Sequence, residues 1–167
     1  MLEIATLTIF PAAVAFAGAM DLFTMTIPNR VSLALLAGFA VLAPLAGFGA
    51  GDILSHLAAG IAVLGLGILL FIPGWIGGGD AKLAAGVALW LGFGHLFEYF
   101  IAVALLGGTL AGALMAFRAQ PLPLALTTQT WAIRLYDRRV GIPYGLALAA
   151  GALLLYPHTH WFARTLG

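Results

Sequence analysis

A chain of 167 residues that is 63% hydrophobic, 8% charged and of net charge +1 is no soluble domain, where about a quarter of residues are charged. With a mean hydropathy of +1.09 it reads as a polytopic membrane protein, small enough for 1–167 to form a single membrane-embedded domain. The absence of cysteine excludes disulfides, thiolate zinc sites and a cysteine nucleophile together.

The first apolar run covers 4–20. Its Ala17-Gly18-Ala19 has the small-x-small form of a leader cleavage site, but the preceding residues carry Glu3 and no Lys or Arg, the reverse of a secretory leader. It is read as a retained first span. Further runs fall at 31–48, 53–72, 83–93, 97–116 and 142–156. A span takes roughly 20 residues, so the fourth and sixth are short, and short helices are tolerated where protein, not lipid, surrounds them. The expected fold is an all-α membrane bundle of about six transmembrane helices.

Basic residues set the orientation. Arg30, Lys82, Arg118, Arg134, Arg138 and Arg139 lie in connections after the first, third and fifth spans, and the opposite side holds only Arg164. The first side is therefore expected in the cytoplasm and both termini outside. The expected location is a bacterial inner membrane. Asp21 and Asp80 then both sit at the cytoplasmic boundary, a result that parity delivers unasked.

The connections differ in character. In 21–30, Ile27-Pro28-Asn29 fixes the backbone just before the second helix starts. Residues 49–52 make a tight outside turn. The single long connection, 118–141, mixes Trp131, Ile133, Leu135 and Tyr136 with Arg134, Arg138 and Arg139, as expected of a helix or strand lying at the lipid headgroups.

The most informative stretch is Gly77-Gly78-Gly79-Asp80. Each glycine costs about 1 kcal/mol against alanine in a helix interior, so three in a row point to a sharp bend or a close approach. An acid at the edge of hydrocarbon is a functional candidate. Taken alone, either Asp21 or Asp80 reads most simply as a helix end facing water. Two on one face, one behind a triple glycine, favour chemistry. Two carboxylates within hydrogen-bond reach share a proton. The ionised one can take a proton from an attacking water, while the protonated one polarises a peptide carbonyl and later protonates the leaving nitrogen. No metal or other cofactor is required. Asp52, Glu3, Glu98 and Asp137 read as solvated ends, and His158 and His160, in a polar tail on the wrong face, receive no role. Lys82 could tune Asp80, although an anchor at the cytoplasmic face is the simpler reading.

Asp21 with Ile27-Pro28-Asn29-Arg30, then Gly77-Gly78-Gly79-Asp80-Ala81-Lys82, then Gly141-Ile142-Pro143-Tyr144-Gly145-Leu146-Ala147 resemble, in order and over essentially the whole chain, the type IV prepilin leader peptidases, membrane-embedded aspartic proteases of the GxGD class. The resemblance implies Asp21 and Asp80 as the catalytic pair and Gly77 and Gly79 as shaping the turn. It also implies support from Pro28, Asn29 and Lys82, and from Pro143, Tyr144 and Gly145 at the start of the last helix. The implied partners are a prepilin or pseudopilin substrate and the lipid bilayer, with no nucleic acid. Larger members carry an N-terminal region with paired CxxC motifs and methylate the new N-terminus. This cysteine-free chain is expected to be a peptidase without methyltransferase activity, similar to the forms serving tight-adherence (Flp-type) pili. Two other readings stay open: another GxGD protease, of preflagellin or signal-peptide type, and a small non-enzymatic transporter or channel whose acids bind cations.

Overall fold

The computed structural model describes residues 2–161, with side chains from residue 4 onward. The Glu3 carboxyl and Arg164 lie outside the described residues. Among the described residues seven α-helices are connected by turns: α1 Leu2–Thr24, α2 Asn29–Leu45, α3 Ala50–Phe71, α4 Gly78–Leu91, α5 Leu96–Ala119, α6 Thr130–Tyr136 and α7 Tyr144–Leu155. No strand occurs among the described residues. This is the all-helical membrane bundle that the hydropathy predicts, and α1, α3 and α5 supply the helices long and apolar enough to cross a bilayer. The six apolar runs correspond to six of these helices. The seventh, α6, lies in the long connection, a helix of 7 residues carrying Trp131 and Arg134 where the sequence predicts an interfacial element.

Helix α4 explains its own shortness. Its 14 residues make a helix about 20 Å long, less than the roughly 30 Å of a hydrocarbon core. It lies inside the bundle: Ala81, Leu83 and Val87 to Leu91 are all buried. Helices α1, α2, α3 and α7 pack around it. Without water to drive them together, such helices associate by close packing of small residues. At the α3–α4 crossing a side chain on Gly67 would meet the Ala81 Cβ at 2.8 Å, so glycine is what lets the two backbones approach. Elsewhere α1 rests on α7 and on α2, while α5 leans on α7.

The two ends of the bundle differ in chemistry. At the far end of α4, Trp90 and Trp161 stack with ring centres 4.6 Å apart, next to Phe10, Phe39 and Tyr156. The indole N–H of Trp90 donates to the Leu35 carbonyl at 2.9 Å and that of Trp161 to the Trp90 carbonyl at 2.8 Å, so neither ring buries an unmet donor. This aromatic plug closes one end. The other end, where α1 and α3 finish and α4 and α7 begin, carries the aspartates and is hollow.

Candidate active site

Asp21 projects from the last turn of α1 and is 7% exposed. Its Oδ2 accepts the backbone N–H of Gly145 at 2.7 Å. Gly145 stands in the first turn of α7, where backbone N–H groups lack partners within the helix, and a helix start favours a negative charge. Pro143 caps that helix and has no N–H of its own to leave unmet. A side chain on Gly145 would lie 2.8 Å from the Asp21 Oδ2 and 2.9 Å from its Cβ. Only glycine leaves room for the carboxylate.

Asp80 repeats the arrangement at the start of α4. Gly77 is the extended residue before the helix (φ −73°, ψ 144°), and its backbone N–H faces the Asp80 carboxylate. A side chain on Gly77 would meet the Asp80 Oδ2 at 2.8 Å. The triple glycine therefore does not form the bend expected of it. Gly78 and Gly79 are helical, and the reversal falls earlier, at Gly74 with φ +78°. What the glycines provide is proximity: a Cβ on Gly79 would stand 3.1 Å from the Cβ of Ile27.

Ile27 belongs to a motif that the sequence singled out, but its own place at the site was not foreseen. It sits in the connection between α1 and α2 and reaches both sites, since its Cδ1 lies 2.7 Å from where a Gly145 side chain would begin. It lies between the starts of α4 and α7, against Gly79 and Gly145. The chain reaches it by ending α1 at Met25, whose φ of +55° is uncommon for a residue other than glycine.

The two carboxylates line one cavity of about 800 Å³, and the charge of Asp21 acts on Asp80. Asp21 faces the backbone N–H of Gly145 at the start of α7 and Asp80 that of Gly77 at the start of its own helix, and none of the hydrogen bonds found among the described residues joins one carboxylate to the other. Tyr144 and Gly77 border the same cavity.

Other residues expected at the site lie elsewhere. Lys82 follows Asp80 by two positions, about 200° around the helix, and points away. Its ammonium donates to the Asn29 Oδ1 at 2.9 Å, and it borders a separate groove between α2 and α3. Asn29 thus holds Lys82, while Pro28 caps α2. Neither borders the carboxylate cavity.

Arginines close the rim. Arg118 at the end of α5 donates from Nε to the Leu135 carbonyl at 2.7 Å and from one terminal nitrogen to the carbonyls of Val140 and Gly141 at 3.1 and 3.0 Å. Val140 and Gly141 form part of the cavity wall. Arg134 of α6 donates to the Phe23 carbonyl at 3.0 Å, meeting an open carbonyl at the end of α1. The sequence shows these arginines as charge on one side; that they are clamps depends on carbonyls far along the chain.

At the opposite end, Gly49-Ala50-Gly51-Asp52 has the same pattern as the stretch around Asp80. The Asp52 Oδ2 accepts the Gly49 N–H at 3.2 Å, again folding back on its own helix start. It borders a smaller cavity of about 220 Å³ with His56, His95 and His160. Among the described residues no three His, Asp or Glu side chains are grouped so as to hold a metal ion.

The class this defines is an all-helical membrane bundle, plugged at one end and hollow around two carboxylates at the other. The profile of the type IV leader peptidase family matches residues 8–115, which is more than half of the chain and includes both Asp21 and Asp80. The chain belongs to that family and is a type IV leader peptidase-like protease. The stretch around Tyr144 lies beyond the matched residues. No curated protein and no solved structure was found to match the chain.

Proposed function

We propose that this protein is an intramembrane aspartic endopeptidase that removes the short basic leader of a prepilin or pseudopilin, with Asp21 and Asp80 activating water. The observation that carries the reading is the single cavity onto which both carboxylates open, each steadied by the backbone N–H of a helix start. Two acids facing one space divide the labour by sharing a proton. The ionised member removes a proton from water as the oxygen attacks the scissile carbonyl carbon. The protonated member gives its proton to the carbonyl oxygen, leaving a neutral tetrahedral diol. The diol then returns a proton to one carboxylate while the other protonates the nitrogen, the C–N bond breaks, and a carboxylic acid and an amine leave.

The side of the membrane follows from charge. Arg30, Lys82, Arg118, Arg134, Arg138 and Arg139 all belong to the connections and helix ends on the carboxylate side, and the side rich in Lys and Arg stays in the cytoplasm. A leader held in the cytoplasm by its own basic residues would meet the acids there.

The test is cleavage of a co-expressed prepilin by the native protein, by Asp21→Asn and by Asp80→Asn. Each substitution keeps size and removes acid–base function, and each alone is expected to lower cleavage about 10²–10⁴-fold, the usual worth of a positioned acid or base, while membrane insertion is unchanged. Native-like cleavage by both variants would refute the assignment.

A further inference from the structure

We infer that the apolar helix of the substrate enters the bundle sideways, between α3 and α5, and lies in the cleft beneath the carboxylates against Ala84, Val103 and Leu148. The inference rests on the peptidase reading above and adds a route and a docking surface to it.

The cleft exists because of how α5 is held. Helix α3 packs on α4, and α5 packs on α7, but no packed seam joins α5 to α3 or to α4. The side of α4 that carries Asp80 and, one turn on, Ala84 therefore faces a gap instead of a neighbour. Leu70 of α3 borders this gap on one side, and Phe100 and Val103 of α5 border it on the other. Phe100 is 37% exposed, and with no seam packed between α3 and α5 this wall of the cavity is the one left without a covering helix. The opening is lateral.

Size and chemistry select the occupant. A helix about 10 Å across fills roughly 400 Å³ per turn, so about 800 Å³ takes nearly two turns of apolar helix. The groove on the other side of α4, between Leu36 and Ile61, holds only about 210 Å³ and has no carboxylate. Along the cleft the acids stand at one end and the apolar side chains Ala84, Leu148, Val103 and Phe100 lie below them. A chain threaded from lipid would bury a hydrophobic segment and present the peptide bond at its boundary to Asp21 and Asp80. The substrate that this shape fits has its cleavage point where a polar leader meets an apolar helix.

The chain has no cysteine, so single cysteines report without background. Val103→Cys and Phe100→Cys are combined with Asp80→Asn, which retains the substrate uncut, and co-expressed in membranes with a prepilin carrying one cysteine in its apolar helix. Comparison positions are Leu105→Cys on the outer side of α5, 67% exposed, and Ile61→Cys in the opposite groove, 69% exposed. Oxidative cross-linking is expected from 103 and 100 at least tenfold above 61 and 105. In the chain with both aspartates, Val103→Trp fills the cleft and is expected to raise KM at least tenfold with little change in kcat. A native protein that cleaves prepilin, but cross-links from 61 or 105 or from none of the four, overturns the route while leaving the peptidase reading intact. A native protein that does not cleave prepilin overturns both.

Discussion

Gly145 is the residue through which position becomes chemistry. Its N–H holds the Asp21 carboxylate, and its missing side chain is the space that the carboxylate occupies. Gly145→Ala would push a methyl group to within 2.8 Å of Asp21 Oδ2, and the helix start or the acid must shift. A displacement near 1 Å can lower a rate about 10²-fold, so prepilin cleavage by this variant should fall by that order while its amount in the membrane stays close to native, as read by quantitative blotting. The two aspartates were legible in the sequence because charge stands out in a chain that is 63% hydrophobic. Ile27 was not, for the same reason reversed: it is one apolar side chain among many, and its role depends on contacts with Gly79 and Gly145 that only the fold creates. Lys82 shows the converse case. Its place two residues after Asp80 and the family resemblance both allowed a role beside that acid, the anchor was the simpler reading, and the turn of the helix sends it to Asn29.

At the scale of elements, hydropathy located the helices and misjudged the start of α4. The apolar run begins at residue 83, whereas the helix begins at Gly78, because glycines with no hydropathy of their own still complete a first turn when neighbouring helices crowd it. The connection from α5 to α7 was readable as interfacial from its mixture of aromatic and basic side chains, but not as the wall of the site. That role depends on Arg118, which holds the Leu135 carbonyl of α6 and the Val140 and Gly141 carbonyls of the segment after it. Hydrogen bonds from a charged donor contribute about 1.5–3 kcal/mol each. Arg118→Ala is therefore expected to expose this connection to limited proteolysis at least about tenfold faster, since 1.4 kcal/mol is a factor of ten. Arg118→Lys should not restore protection, because an ammonium lacks the forked geometry that reaches separate acceptors. Equal proteolysis of all three chains would show that the rim is held by other contacts.

For the whole molecule, the division into a plugged end and a hollow end separates stability from chemistry. The plug buries Trp90 and Trp161 with their N–H groups satisfied, and removing a buried aromatic ring typically costs about 3–5 kcal/mol. The hollow end keeps apolar surface uncovered along α5 and leaves α4 without a neighbour on one side. Nothing in a single sequence announces that imbalance, since every span there is apolar on all sides. It arises from which helices meet, and α5 meets α7 on a narrow strip around Tyr99, Val103 and Gly107.

The fold also contains its own control experiment. Gly49-Ala50-Gly51-Asp52 and Gly77-Gly78-Gly79-Asp80 spell one pattern twice, and in both the acid folds back on the residue before its helix. Only at the second copy does another carboxylate look onto the same cavity. Asp52→Asn should thus cost no more than a helix-cap change, about 1 kcal/mol, seen as a small drop in melting temperature in detergent, and should leave prepilin cleavage intact. A sequence signature, on this view, is a piece of carpentry available at either surface of a membrane bundle. On the function proposed above it becomes an enzyme where a second acid lines the same cavity, and in this chain that acid comes from a different helix, 59 residues earlier.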